Sequence, residues 1–375
     1  MQTSHEIARR DPIAMPAASV SPLFLSAYSA TIRRFDLLAF LPTASTMARP
    51  VDFVSNYQRN LMGPPHFDSA LLNRLLPMPA LIEELAKAFK CPARVPVRHN
   101  LKDGKRELLI MPALAEGLAG VKLLTIVPEN RDTVRPVIDG IFVLLDMQRG
   151  GAVATMDASK LTARRTAAIS ALAARQLARS DASSLVIVGA GHLAPYLAEA
   201  HASIRPIRNI LVWARDVDKA ARCADEIRRR LPGLTIDVAR RLGPAVAEAD
   251  MVSAATRATE PLIKGEWLRP GVHVDLVGGY RPDMREIDDA GIAAAEIYVD
   301  DLDAALAEAG DLRSPIERGI IGRDAVRGGL ADLLTRDPAA RHRPVTLFKS
   351  VGSALSDLTA AALAWRSHPG VRDER

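Results

Sequence analysis

The segment Val188-Gly189-Ala190-Gly191-His192-Leu193-Ala194 places two glycines and a small residue at the spacing G-x-G-x-x-A. At the end of a strand, the first glycine permits a tight turn and the second lets the backbone approach a pyrophosphate. The small third residue lets the next helix pack closely against the strand. Pro195 falls in the first turn of that helix, where a missing N–H costs little. The spacing by itself is weak evidence. Here it follows the continuously apolar Ser184-Leu185-Val186-Ile187-Val188 and opens a helix, and in that setting it indicates a dinucleotide site. The end of the second strand discriminates between cofactors. Val212-Trp213 is followed by Ala214, then Arg215 and Asp216; with no acid directly at the strand end and an Arg beside it, NADPH is favoured and NADH is the alternative. The plainer reading of Arg215 is a solvated turn residue.

A second set of residues is cationic and sits in settings unlike ordinary surface. Lys122 lies inside an apolar strand, Arg98 follows Pro96-Val97, and Arg165 is embedded in Leu161-Thr162-Ala163-Arg164-Arg165-Thr166-Ala167-Ala168. A buried cation is costly unless paired, so three of them ask for an anion. A carboxylate held by bidentate Arg contacts would supply it.

The elements that must position these residues follow from the pattern. Pro77 to about Phe89 reads as a proline-started helix. Glu107–Pro112, Gly120–Ile126 and Gly140–Asp146 read as strands between turn residues, which makes the first part α+β. An alanine-rich helix over Leu161–Ser180 connects it to a strand–helix alternation. Its strands are Ser184–Val188, Asn209–Trp213, Thr235–Val238, Met251–Ala254, Val272–Val277 and Glu296–Val299, with a helix over Val217–Leu231. That is the sequence form of a doubly wound parallel sheet, a Rossmann-type α/β fold. Val345–Gly352 and an alanine-rich helix to about Trp365 form a tail expected to pack back on the first part. The domains therefore read as 64–165 with 343–368 for the first, split domain, and 166–342 for the dinucleotide. Residues 1–63 have no sustained period and read as a disordered leader or an over-extended start.

Composition bounds the rest. The chain has 375 residues, 48% hydrophobic and 25% charged, enough for about two domains with a sizeable core. Cys91 and Cys223 are too few and too far apart for a disulfide framework, which suits a reducing cytoplasm. The net charge of +5 is spread among acids, and aromatics make up 4%, which argues against nucleic acid. A basic balance also suits anionic small molecules. No apolar run reaches the ~18 residues of a membrane span. The eight histidines form no H-E-x-x-H spacing and no G-x-S-x-G elbow is present, so metal and acyl-transfer chemistry are not indicated.

Taken in order, several pieces resemble the ornithine cyclodeaminase and mu-crystallin family over nearly all of 67–365. They are Pro96-Val97-Arg98, Met111-Pro112-Ala113, Gly120-Val121-Lys122, the Leu161–Ala168 segment, the glycine turn, Ala254-Ala255-Thr256, Gly279–Glu286 and Phe348-Lys349-Ser350-Val351-Gly352. The resemblance implies a homodimer built through the split first domain, with the active site in the cleft facing the Rossmann domain. It implies that Arg98, Lys122 and Arg165 bind a substrate carboxylate. It also assigns Gly189, Ala190, Gly191, His192, Leu193, Arg215 and Thr256 to the cofactor, with Ser350 and Val351 beside the nicotinamide. Arg164 is expected to be a solvated helix residue.

Members of this family include cyclising lyases, alanine dehydrogenases and reductases of cyclic imino acids. In the cyclodeaminases an acid stands two positions before Met-Pro and an Asp follows Gly-Gly. Here those positions are Leu109 and Tyr280, which with Met111 are expected to line the substrate pocket. An unpaired terminal ammonium would be penalised beside them, whereas a compact ring would fit. The expectation is therefore NAD(P)H-dependent reduction of Δ1-pyrroline-2-carboxylate, or its six-membered piperideine analogue, to L-proline or L-pipecolate. The alternatives are an ornithine cyclodeaminase with tightly held NAD and a non-catalytic mu-crystallin-like binder.

Overall fold

The computed structural model of the protein describes residues 63–336 and 345–372. The proposed leader, apart from Gly63, lies outside the described residues. Two sheets organise the rest. The first contains β1 (His66–Phe67), β2 (His99–Asp103), β3 (Arg106–Ala115), β4 (Leu118–Ile126), β5 (Ile138–Asp146) and β6 (Ala152–Asp157), in the order β1-β6-β5-β4-β3-β2. It is antiparallel except where β1 runs parallel to β6. The strands alternate as half-covered strands must. Met111, Ala113, Lys122, Leu124, Phe142 and Leu144 face inward and are buried, while Ile110, Pro112, Val121, Leu123, Ile141 and Val143 on the other face are half-exposed. The inner face is covered by the helix Ala354–Ser367, with the helix Met78–Ala88 behind it.

The second sheet contains β7 (Ser184–Val188), β8 (Asn209–Trp213), β9 (Thr235–Val238), β10 (Met251–Ala254), β11 (Val272–Leu276), β12 (Ala295–Val299) and β13 (Val345–Lys349). Its order is β12-β13-β11-β10-β7-β8-β9 and every pair is parallel. The order reverses between β7 and β10, so a ligand crevice is expected at the carboxyl ends of those strands. Helices Ala194–Ala202, Val217–Arg230 and Leu242–Glu248 make the crossovers. This is the expected Rossmann-type doubly wound sheet.

Val345–Lys349, assigned to the first domain from the sequence, instead inserts between β11 and β12 of the parallel sheet. Its residues are buried throughout, as a strand covered on both faces requires. Only the helix that follows returns to the first sheet. The helix expected over Leu161–Ser180 runs over Ala158–Leu177. Asp157 starts it early by accepting from Lys160 N at 2.8 Å. It is buried on nearly all sides because both lobes cover it, which explains why alanine rather than an amphipathic stripe dominates its sequence. Among the described residues no helix is long and apolar enough to cross a membrane.

Close approach of β4 and β5 sets one constraint on composition. A Cβ on Gly140 would lie 1.9 Å from the Leu123 carbonyl oxygen. Gly140→Ala is expected to lower stability by about 1–3 kcal/mol in denaturant unfolding. An unchanged midpoint would contradict the register that pairs Gly140 with Leu124.

Candidate active site

The glycine turn follows β7 and opens the helix Ala194–Ala202, with Pro195 in its first turn. Gly189 has φ +107°, and a Cβ there would lie 2.8 Å from the Ala255 carbonyl oxygen. Only glycine satisfies both conditions. Its N–H donates to Trp213 O at 2.8 Å, which ties the turn to β8. At Gly191 a Cβ would meet nothing within 4 Å, so the protein leaves that side of the turn open for another molecule. An open backbone at a helix N-terminus is what a pyrophosphate requires, and the residues present fit a dinucleotide. Ala190, Gly191 and His192 line a recess of about 230 Å³ whose other wall carries Lys219, Arg222 and Glu226. His192 and Leu193 also line a larger cleft of about 530 Å³. Arg215 is exposed just past β8, and Asp216 beside it accepts from Lys219 N at 3.0 Å, capping the next helix.

Across the cleft lies a buried charge cluster. Lys122 is 1% exposed and its Nζ is 2.6 Å from Asp357 Oδ2. Arg165 Nε lies 2.8 Å from Asp357 Oδ1. Lys122 Nζ also donates to Thr162 Oγ1 at 3.3 Å. Burial pushes the Lys122 ammonium down to about 8, with Arg165 adding to the fall and Asp357 opposing it. Burial would raise the Asp357 carboxyl, but Arg165 and Lys122 outweigh it and hold it below the usual carboxylate range. Two cations share one carboxylate, which leaves one positive charge for an anion in the cleft.

Arg98 joins this group from the segment before β2. Its guanidinium donates to Val351 O at 3.3 Å and Gly352 O at 2.5 Å, and its Nε lies 3.3 Å from Glu308. Arg165 approaches the same segment, since a Cβ on Gly352 would be 3.0 Å from its Nη1. The segment is fixed from behind by Asp300, which accepts from Ser350 Oγ at 2.7 Å, Val351 N at 3.0 Å and Gly352 N at 2.6 Å. Arg98 and Arg165 therefore converge on Val351-Gly352.

The predicted residues do not share one cavity; of the three predicted cations, Arg165 and Arg98 each line a different one, beside residues not predicted, and Lys122 lines neither. Arg165, Thr162, Leu124, Val277, Ser350 and Val351 line the 530 Å³ cleft. Arg98, Leu109 and Glu308 line a neighbouring cavity of about 640 Å³. Tyr280 is a wall of both. Met111 is 3% exposed and lines neither, because it faces the inner core beside Lys122. Thr256 lies at the end of β10, where its hydroxyl donates to Glu286 at 2.8 Å. Arg164, expected at the surface, is 4% exposed. It is held by Glu199 at 3.0 Å and by the Leu76 carbonyl, so its charge is compensated within the protein. Asp357, Asp300 and Glu286 were not singled out from the sequence. The available signal was an acid isolated in an apolar helix or turn, as in Ala354-Leu355-Ser356-Asp357-Leu358.

The fold and this arrangement define an oxidoreductase that works with a nicotinamide dinucleotide. The chain belongs to the ornithine cyclodeaminase/mu-crystallin family, whose model matches residues 71–368. Among its curated relatives is a Bacillus cereus Δ1-pyrroline-2-carboxylate reductase, 36% identical over 315 residues, which cover 82% of this chain and 93% of the relative. The Thermococcus litoralis Δ1-pyrroline-2-carboxylate reductase, solved with NADH and L-proline, superposes with a TM-score of 0.76 at 31% identity, over 81% of this chain and 97% of that one. An archaeal alanine dehydrogenase dimer with bound NAD also superposes with a TM-score of 0.76, at 25% identity over 83% and 97%.

The Lys122 proton gives a pH signature. The folded chain releases it near pH 8 and the unfolded chain near 10.5, so between those values the unfolded state binds more protons and stability rises with pH. The stability of wild type relative to Lys122→Met is expected to increase from pH 8 toward 10.5. A flat difference across that window would contradict the buried ammonium.

Proposed function

We propose that this enzyme reduces a cyclic imino acid, Δ1-pyrroline-2-carboxylate or its six-membered piperideine analogue, to L-proline or L-pipecolate. One observation carries the proposal. The Lys122–Asp357–Arg165 cluster leaves an uncompensated positive charge beside a cleft lined mostly by apolar side chains, Leu124, Val137, Ile138, Ala163, Val277 and Tyr280 among them. A compact ring with one carboxylate matches that wall. Among the described residues Asp139 is the one carboxylate in the lining, and its Oδ1 already accepts from Gly140 N at 2.8 Å. Leu109 and Tyr280 provide no anion for a terminal ammonium, and the carboxylates of the cavity they share, Glu107, Asp283 and Glu308, are already held by Asn100, Arg281 and Arg98, which disfavours ornithine as substrate.

When bound, the dinucleotide supplies the hydride for the C=N carbon. Arg165 holds the substrate carboxylate, with Lys122 and Arg98 adding to the positive field. The ring nitrogen needs one proton in the same reaction. Lys122 is protonated at neutral pH and donates to Thr162, whose side chain reaches the cleft, so Thr162 is the hydroxyl through which that proton passes. Arg215, exposed just past β8 with no acid directly at the strand end, supports NADPH over NADH.

We further propose a homodimer formed on the outer face of the first sheet. Pro112, Val121, Leu123, Ile141 and Val143 form an apolar, half-exposed surface there. The exposed free Cys91 and the buried free Cys223 suit a cytoplasmic enzyme.

Purified protein is expected to consume NADPH, and NADH more slowly, with pyrroline-2-carboxylate. No turnover there, together with ammonia release from L-ornithine, would overturn the reductase reading. Val121→Asp is expected to convert a dimer to a monomer in light scattering. A variant that stays dimeric would place the interface elsewhere.

A further inference from the structure

A second buried charge cluster takes no part in holding the carboxylate. Lys349, Asp311 and Glu286 are all 0% exposed. Lys349 Nζ lies 3.2 Å from Asp311 Oδ2 and 3.9 Å from Glu286 Oε2. The Glu286 carboxylate accepts four hydrogen bonds. Oε1 takes Thr256 N at 2.6 Å and Thr256 Oγ1 at 2.8 Å, and Oε2 takes Gly278 N at 2.8 Å and Gly279 N at 3.2 Å. Asp311 Oδ1 accepts from Glu286 N at 2.7 Å and Ile287 N at 3.3 Å, which orients the backbone that carries Glu286.

The positions of these donors give the cluster its meaning. Thr256 follows the carboxyl end of β10, and Gly278-Gly279 follows the carboxyl end of β11. Lys349 ends β13, immediately before Ser350-Val351-Gly352. Three adjacent loops on one rim are thus tied to three interior charges. That rim lies beyond the switch point, on the side away from the glycine turn, where the nicotinamide half of a dinucleotide belongs in an open parallel sheet. The fit is close. A Cβ on Gly278 would lie 2.0 Å from Thr256 O, and one on Gly279 would lie 2.5 Å from Asp311 Oδ2. The next residue is Tyr280, the wall shared by both cavities.

We propose that Glu286, oriented by Asp311 and facing the ammonium that Lys349 shares between the two carboxylates, is a positioning residue that shapes the Thr256 and Gly278–Tyr280 loops to receive the nicotinamide half of the cofactor. The proposal rests on the nicotinamide-dependent reading above. A purely structural cluster would affect stability alone. A positioning cluster must affect one half of the cofactor and not the other.

Glu286→Gln preserves shape, but it turns one acceptor oxygen into an NH₂ that faces N–H donors. Binding is read by fluorescence titration without imino acid, using the reduced dinucleotide that wild type binds more tightly. The control is the matching ADP-ribose or its 2′-phosphate, which lacks the nicotinamide. The Kd for the reduced dinucleotide is expected to rise roughly tenfold or more, while that for the ADP-ribose fragment stays within about twofold. Unchanged affinity for both, or an equal loss for both, would overturn the proposal. If Glu286→Gln fails to fold, Thr256→Val removes one donor and leaves the carboxylate, and the same selective loss is expected at about two- to fivefold. No selective loss in that variant would overturn it equally. Failure of wild type to bind either reduced dinucleotide would instead sink the nicotinamide reading itself.

Discussion

The structure depends on one buried carboxylate. Asp357 lies fully inside the protein and pairs with Lys122 through one oxygen and with Arg165 through the other, so one negative charge is shared between two cations. Each of those cations would be prohibitively costly in an apolar interior without it. The three residues come from three elements. Lys122 is on the first sheet, Arg165 on the helix between the lobes, and Asp357 on the C-terminal helix that covers the sheet. The ion cluster therefore ties those three elements together, and its surplus positive charge lies beside the cleft.

Connectivity explains how the two sheets cooperate. The helix Ala158–Leu177 runs unbroken from the first sheet to the second, and its buried length leaves little freedom between the lobes. The chain then returns through β13, between β11 and the edge strand β12 of the parallel sheet, before its last long helix covers the antiparallel one. The turn Ser350-Val351-Gly352 lies at that crossing. Asp300 accepts from its Ser350 hydroxyl and its backbone N–H groups, and the Arg98 guanidinium donates to its carbonyls. One short segment thus joins the parallel sheet to the helix that covers the first sheet.

Much of this was legible in the sequence. The strands Ser184–Val188, Asn209–Trp213, Thr235–Val238 and Met251–Ala254 were read with their observed ends, because continuous apolar runs bounded by turn residues admit few other readings. The glycine turn and the cationic character of Lys122 and Arg165 were legible for the same local reasons. The acids that organise the site were not. Asp357 is 192 positions from Arg165, and no periodicity reports a pairing across that distance. Val345–Lys349 was misassigned because its position in the sheet is set by neighbours and not by its own composition. Arg164 and Arg165 are adjacent in sequence and both buried. Only their partners, Glu199 for one and Asp357 for the other, separate a structural cation from one facing the cleft.

The central claim is that the surplus charge beside Asp357 is there for a substrate carboxylate. Competitive inhibition by L-proline and by L-prolinamide, which differ only in that charge, tests it most directly. L-proline is expected to compete with the imino acid roughly a hundredfold more strongly than the amide. Equal inhibition by the two would contradict the account.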